Sequence, residues 1–235
     1  KEYRRQRQMC IRDSPLPLES KKSNQTVTTS ICTTEFKENA VLLIDNLDSF
    51  TYNIAHSIAG LGHHVNIVSG RAISTLSAAD LIANLKPSHI ILGPGPGWPQ
   101  DSPLTMDFAA LAIQNKTPPL LGICLGHQAI GLASGLDLVP SPIGPVHGTP
   151  VKCLHSSTGL FRGLNEVSMT RYNSLTHLTA DCNTSKDIVI DATDDTKSLV
   201  LAFHCKKASV FGVQFHPESV GSQSGSHILS NFLKH

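Results

Sequence analysis

Cys124 stands at the centre of Gly122-Ile123-Cys124-Leu125-Gly126, a G-x-C-x-G set between an apolar run and a helix-forming stretch. This is the thiol counterpart of the nucleophile elbow, in which a sharp, strained turn aims one side chain off the end of a strand. Glycines two residues to either side let strand and helix pass closely without Cβ clashes. A sulfur at a helix N-terminus meets free N–H groups and the positive end of the helix dipole, which favour the thiolate. The chemistry this spacing supports is attack on a carbonyl carbon through a covalent intermediate. The bland alternative is an inert buried thiol, the usual state of a free cysteine, and the flanking glycines weigh against it.

A thiolate nucleophile needs a base and a group that orients the base. The apolar run Val210 to Phe215 ends at Gln214-Phe215-His216-Pro217-Glu218. A strand over that run places His216 at a strand terminus on the same rim as the elbow. Glu218, two residues on, then faces the same way and accepts the other ring N–H. A lone histidine at a strand end is more often structural, but an elbow cysteine in the same chain reverses that balance. The third piece is Gly93-Pro94-Gly95-Pro96-Gly97-Trp98-Pro99, with three glycines and three prolines in seven residues. Its plain reading is a rigid surface turn. Its functional reading is a backbone cradle that pairs a donor from Gly95 with the N–H of Leu125 around a developing oxyanion.

These residues must be held by elements the sequence also indicates. Apolar runs of four to six residues alternate with amphipathic stretches from Ala40 onward, the pattern of βα units. Strands are expected at Val41 to Asp45, His64 to Val68, His89 to Gly93 and Pro119 to Ile123. Phe50, Ile54, Ile58 and Leu61 mark a first helix closed by Gly60 and Gly62. Leu76, Leu81, Ile82 and Leu85 mark a second, stopped before Pro87, and Leu104 to Gln114 a third. Four βα repeats by residue 135 predict an α/β fold: an open, mostly parallel twisted sheet flanked by helices, with right-handed crossovers and a ligand site at the carboxyl ends of its strands. The second half offers β-rich runs at Val151 to Leu154, Val167 to Tyr172, Ile188 to Ala192, Leu199 to His204 and Val210 to Phe215. They are expected as antiparallel additions to the same sheet, with Asp194-Asp195 as a hairpin turn.

Composition narrows the function. The 235 residues are 40% hydrophobic and 16% charged, enough for one good-sized core. A formal net charge of +1 gives no broad field for gripping a phosphate backbone, so nucleic acid is not an expected partner. The purest apolar run, Ala40 to Ile44, is far short of the roughly 18 residues a membrane span needs. A soluble protein is expected. Six cysteines without a C-x-x-C pair, and His63-His64 without i, i+4 spacing, call for neither a disulfide framework nor a metal, so a reducing, cytoplasmic setting fits.

Residues 1–38 carry 8 Lys+Arg against 5 Asp+Glu, whereas the rest carries 11 against 13. With the polar stretch Ser23 to Thr34 and no periodicity, this tail is expected to be disordered or non-native, leaving 39–235 as the domain. The run RRQRQMCIRDS resembles translated cloning sequence, and the first residue is Lys rather than Met. A plastid transit peptide is the competing reading of a basic, Ser/Thr-rich tail, and Glu2, Asp13 and Glu19 count against it.

GPGPG, GICLGHQAIG and QFHPES, in that order and spacing, resemble the class I (triad) glutamine amidotransferases over essentially all of residues 40–235. LLIDNLDSFTYN is similar to the glutaminase components of anthranilate synthase and aminodeoxychorismate synthase. The resemblance implies a flavodoxin-like fold, with Cys124 as nucleophile, His216 as base and Glu218 as its orienter. It further implies L-glutamine contacts from Gly95, Pro96 and Gly97, from Leu125 and Gln128, and from Ser174 and Leu175 in RYNSL. It implies no cofactor, and ammonia delivery to a chorismate-converting synthase on another chain or a fused domain. Asn173 departs from the family's RYHSL and His147-Gly148-Thr149-Pro150 from the HGK of many anthranilate glutaminases. The run GPVHGTPVKCLHSSTGLFRGL is more similar to the aminodeoxychorismate branch. Rival readings are a γ-glutamyl hydrolase or other cysteine peptidase, the glutaminase of a nucleotide synthetase, and a degenerate regulatory component. The first would not be expected to carry LLIDNLDSFTYN, the second would be expected to be joined to an ATP-using module, which these residues do not show, and an intact Cys124, His216 and Glu218 disfavour the third.

Overall fold

A computed structural model describes residues 36–71, 77–182 and 187–235. The expected tail therefore lies outside the described residues except at its end. There the Lys37 N–H donates to Asn66 Oδ1 and the Asn66 amide returns a bond to the Lys37 carbonyl.

The first half is a run of βα units: β1 (Val41–Asp45), α1 (Thr51–Gly60), β2 (Val65–Ser69), α2 (Ala78–Leu85), β3 (His89–Leu92), α3 (Pro103–Ile113), β4 (Leu120–Ile123) and α4 (Leu125–Ala133). Local chemistry sets the boundaries. Ser77 caps α2 by accepting from the Asp80 N–H while the Asp80 carboxylate takes the Ser77 N–H, a reciprocal capping box. Lys86 then leaves the helix in the left-handed region just before Pro87. The expected helical position Leu76 lies outside the described residues. Pro103 opens α3, where its missing N–H costs nothing.

The second half contributes β5 (Val139–Pro140), β6 (Thr149–His155), β7 (Val167–Arg171), β8 (Leu175–Thr176), α5 (Thr179–Cys182), β9 (Ile188–Thr193), β10 (Val200–Cys205), β11 (Val210–Val213) and α6 (Gly225–Phe232). The main sheet runs β2-β1-β3-β4-β11-β10-β9-β6-β7, and β5 pairs with β8 in a small separate ribbon. The mostly parallel sheet with antiparallel strands added late in the chain is the expected architecture. One expectation fails in detail: β11 is not an antiparallel addition. It lies parallel to β4, Val210 opposite Leu120 and Val213 opposite Ile123, because the β10–β11 hairpin turns the chain back into the direction of the first four strands. That hairpin sets the carboxyl end of β11 beside the carboxyl end of β4. The expected turn at Asp194-Asp195 is present and spans residues 194–199, closed by the Asp194 carboxylate accepting from the Ser198 and Leu199 N–H groups.

Alternate residues of the parallel strands feed two cores. Val41, Leu43, Ile91, Leu121, Ile123, Phe211 and Val213 face α1 and α6 through Ile54, Ile58, Ile228, Leu229 and Phe232. Leu42, Ile44, Ile90, Leu92, Leu120 and Val210 face α2, α3 and α4 through Leu81, Phe108, Ala112 and Ile130. Strands buried on both faces read as unbroken apolar runs, which is why VLLI and HIIL show no polar alternation. Among the described residues no helix is long and apolar enough to cross a membrane.

Helix α4 passes so close to β3 and β4 that neither elbow glycine has room for a side chain. A Cβ on Gly122 would collide with the backbone of Gly126 and His127, and one on Gly126 with the Leu92 carbonyl oxygen. Gly126→Ala is expected to destabilise the fold by roughly 1–3 kcal/mol through overpacking against backbone that cannot yield. Chemical denaturation checks this, and an unchanged midpoint would refute the close approach.

Candidate active site

The turn from β4 into α4 places Cys124 at φ +51° and ψ −102°. That left-handed geometry is uncommon for a residue with a side chain and is the strained elbow the glycine spacing indicates. It is held from both sides: the Cys124 N–H donates to the Val213 carbonyl at 2.9 Å, and its own carbonyl accepts from the Gln128 N–H at 3.0 Å. The thiol is buried to 6% exposure at the floor of a cleft lined by Gly95, Pro96, Gly97, Cys124, Gln128, Tyr172, Asn173, Ser174 and Leu175.

Past β11 the chain brings His216 to the same place. Its Nδ1 lies 2.8 Å from Glu218 Oε1, both side chains almost wholly buried. Glu218 does not reach the ring by strand alternation as expected, because β11 stops at Val213. A tight turn carries it there instead, with the His216 carbonyl accepting from the Ser219 N–H and the Ser222 hydroxyl. His216 Nε2 is buried with no nitrogen or oxygen partner, and it interacts with the Cys124 sulfur. Burial opposes a positive ring. The nearby sulfur of Cys124 and the Glu218 carboxylate outweigh that burial and hold the His216 pKa well above the ordinary histidine range. The ring is further boxed by Tyr172 and Phe50, edge-on at centroid distances of 5.0 and 5.4 Å.

The remaining expected residues sort cleanly. Gly95, Pro96, Gly97, Gln128, Ser174 and Leu175 line the cleft beside Cys124. Leu125 does not; it is the buried first residue of α4, its side chain packed beside Gly95. The Gln128 amide nitrogen donates to the Leu175 carbonyl at 3.0 Å and to Gln214 Oε1 at 3.1 Å, tying α4 to the β7–β8 turn. Asn173, the departure from the family pattern, bridges the same turn. Its Oδ1 accepts from Arg171 Nε at 3.0 Å and its Nδ2 donates to the Leu175 carbonyl at 2.8 Å. Arg171 is fully buried behind the cleft. Burial lowers its pKa, and the Asp194, Cys153 and Cys124 charges oppose that fall. Tyr172 and Phe50 are site residues that the sequence does not single out. Both sit inside runs that it does, RYNSL and LDSFTYN, but aromatic packing on a histidine leaves no spacing signal.

The arrangement is a thiol on an elbow, an imidazole paired with a buried carboxylate, and a glycine-rich backbone wall, all at one polar cleft. Comparison with known proteins agrees with it. The family model described as "Glutamine amidotransferase class-I" matches residues 42–235. The chain is 36% identical over 195 residues to anthranilate synthase component 2 of Porphyra purpurea, covering 82% of this chain and 98% of that one. It is also 36% identical over 196 residues to aminodeoxychorismate synthase component 2 of Serratia marcescens, with 82% and 98% covered. The fold matches a crystal structure described as that of a putative GMP synthase protein from Thermoplasma acidophilum, with a TM-score of 0.70 and 23% identity over 84% of this chain and 93% of that one. With a family match spanning nearly the whole described body, the chain belongs to the class I glutamine amidotransferases and is an enzyme of that family.

Proposed function

We propose that this chain releases ammonia from L-glutamine and delivers it to a chorismate-converting synthase. The observation that carries the reading is that the elbow thiol of Cys124 interacts with His216, and His216 with Glu218, beside a cleft walled by Gly95, Pro96 and Gly97. Cys124 Sγ adds to the side-chain amide carbon of glutamine, and the negative oxygen is met by backbone N–H groups of the Gly95 loop and of Leu125. The C–N bond breaks as His216 gives its proton to the nitrogen, which leaves as ammonia. Water, deprotonated by His216, then hydrolyses the γ-glutamyl thioester to glutamate. Glu218 keeps the ring oriented and its positive form favoured.

The partner half of the reading rests on exposed apolar side chains. Leu47 follows β1, Tyr52 opens α1, Trp98 ends the glycine-proline loop, Ile143 follows β5 and Val220 follows Glu218. All five are large apolar side chains between 45% exposed and fully exposed. Trp98 directly follows Gly97 of the cleft wall, Leu47 follows Asn46 beside Gly95, and Val220 lies two residues beyond Glu218, so three of the five adjoin segments that form the site. Exposed apolar side chains flanking a polar site fit a protein partner better than a free-standing hydrolase. Within the two named kinds of relative, we take the aminodeoxychorismate synthase as partner, supported by the likeness of residues 144–164 to that branch. The relatives of both names are equally identical to this chain, so the product made with each class of synthase tests the choice.

Cys124→Ala is expected to abolish glutamine-dependent synthesis while ammonia-dependent synthesis by the reconstituted enzyme stays near the wild-type rate. Retained glutamine turnover would remove Cys124 from its role.

The same variant deletes the sulfur that, with Glu218, holds the His216 pKa up. Burial then acts against Glu218 alone, and the ring pKa is expected to fall from its wild-type position. NMR titration of the His216 ring reads this directly, and an unmoved titration would show that the sulfur does not set the ring's charge.

Glutamate release by the chain alone should be slow, rising with synthase and again with synthase plus chorismate, because a misplacement of about 1 Å in a site can cost about 10²-fold. Equal rates in all three conditions would favour a free-standing hydrolase.

A further inference from the structure

Asn46 is the residue directly after β1, and it is fully buried although polar. Its Nδ2 donates to the Gly93 carbonyl at 2.8 Å, and its Oδ1 accepts from the Thr105 hydroxyl of α3 at 2.7 Å. Its own backbone and Cβ lie against Gly95, where an added methyl would come within 2.6 Å of Asn46 Cβ and 2.8 Å of its carbonyl oxygen. One side chain therefore joins the end of β1, the first turn of α3 and the start of the glycine-proline loop.

Its amide has a single workable orientation. The Gly93 carbonyl can only accept, so the nitrogen must face it, and the oxygen is left for the hydroxyl. The position is also special in the topology. The chain leaves β1 toward β2 on one side and returns through β3 and β4 on the other, so Asn46 bridges the carboxyl ends of β1 and β3 at the switch point where open α/β sheets bind ligands. Further along the loop, the Pro96 carbonyl is met by Arg71 Nη2, but that contact is exposed to solvent. At its start the Gly93 N–H donates to the Ile44 carbonyl at 2.9 Å, and the buried side chain that holds the Gly93 carbonyl is Asn46.

Resting on the glutaminase reading, we propose that Asn46 is a positioning residue. Its amide fixes the height of the Gly93–Gly97 backbone beside Cys124, so that the loop meets the substrate oxygen as negative charge builds on it. Asn46 does not line the cleft, so its effect passes wholly through the loop. A donor wall must be in place before the charge develops, because reorienting it during the reaction would cost what it is there to supply.

Asn46→Asp is the informative variant, since it keeps the shape and the acceptor for Thr105 but turns the donor into a carboxyl oxygen facing the Gly93 carbonyl. Glutamate release by the synthase-bound enzyme is expected to lose about 10²-fold in kcat, with a smaller change in KM. A buried carboxyl has a raised pKa, and its protonated form can again donate, so the deficit relative to wild type should shrink as pH falls. Alkylation of Cys124 by iodoacetamide does not use the loop and should proceed at the wild-type rate. Thr105→Val should give a partial loss that Thr105→Ser restores. Wild-type kcat in Asn46→Asp would overturn the proposal. So would a deficit independent of pH that is matched by slowed alkylation, which marks general disruption. If wild-type enzyme itself releases no glutamate, the glutaminase reading fails and this proposal with it.

Discussion

A cysteine held at positive φ between the last residue of β4 and the first of α4 constrains everything around it. The turn is tight because α4 folds straight back over the sheet, and it can do so only where Gly122 and Gly126 leave no Cβ in the way. Strain of this kind persists when the surroundings over-determine it. Here they do: β11 lies parallel to β4 and its Val213 carbonyl takes the Cys124 N–H, while α4 buries nearly every residue of its first two turns. The β10–β11 hairpin is thus part of the elbow, although it lies some eighty residues further along the chain.

The same hairpin explains the charge pattern. By inserting β11 next to β4 it brings His216 within electrostatic reach of Cys124. A histidine this deeply buried would ordinarily be neutral, and His127, just inside α4, shows the ordinary case: burial and the nearby His177 push its pKa well below the usual value. His216 goes the other way because a sulfur and a carboxylate face its two nitrogens. Its raised pKa contributes stability that is fully present below the unfolded histidine value and is lost as pH rises through the folded one. Two histidines in one core thus carry opposite shifts, decided by what faces the ring nitrogens.

Much of this is legible in the sequence because it depends on local pattern. Buried parallel strands read as VLLI and HIIL, helices as spaced apolar residues, and the elbow as two glycines around a cysteine. The direction of β11 is not legible, since a strand and its reverse have the same composition and only the short β10–β11 turn decides. Glu218 is expected beside His216 for an incomplete reason: the two-residue spacing suggests a shared direction, whereas β11 ends at Val213 and the turn after His216 does the placing. Phe50, Tyr172 and Asn46 leave no signal of their own. Their roles come from packing on a ring, or from an amide shared among three elements, and those contacts exist only after the chain is folded. The small β5–β8 ribbon is invisible in the sequence because two-residue strands carry no periodicity.

The cleft and its rim are built to different physical rules, and the contrast indicates what the site must do. Inside, polar groups are tied to one another: Asn173 and Gln128 both donate to the Leu175 carbonyl, and Asn46 holds the loop opposite. Such a network fixes geometry because each amide has one satisfactory orientation. Outside, Leu47, Trp98, Ile143 and Val220 project into solvent from four different connections, and Tyr52 from the first turn of α1. Loops of that kind move at little cost unless something covers them. Leu47 is the neighbour of Asn46 and Trp98 closes the loop that Asn46 anchors, so covering the rim restrains the very backbone that faces the substrate. A site whose walls are completed from outside can stay slow until its acceptor is in place.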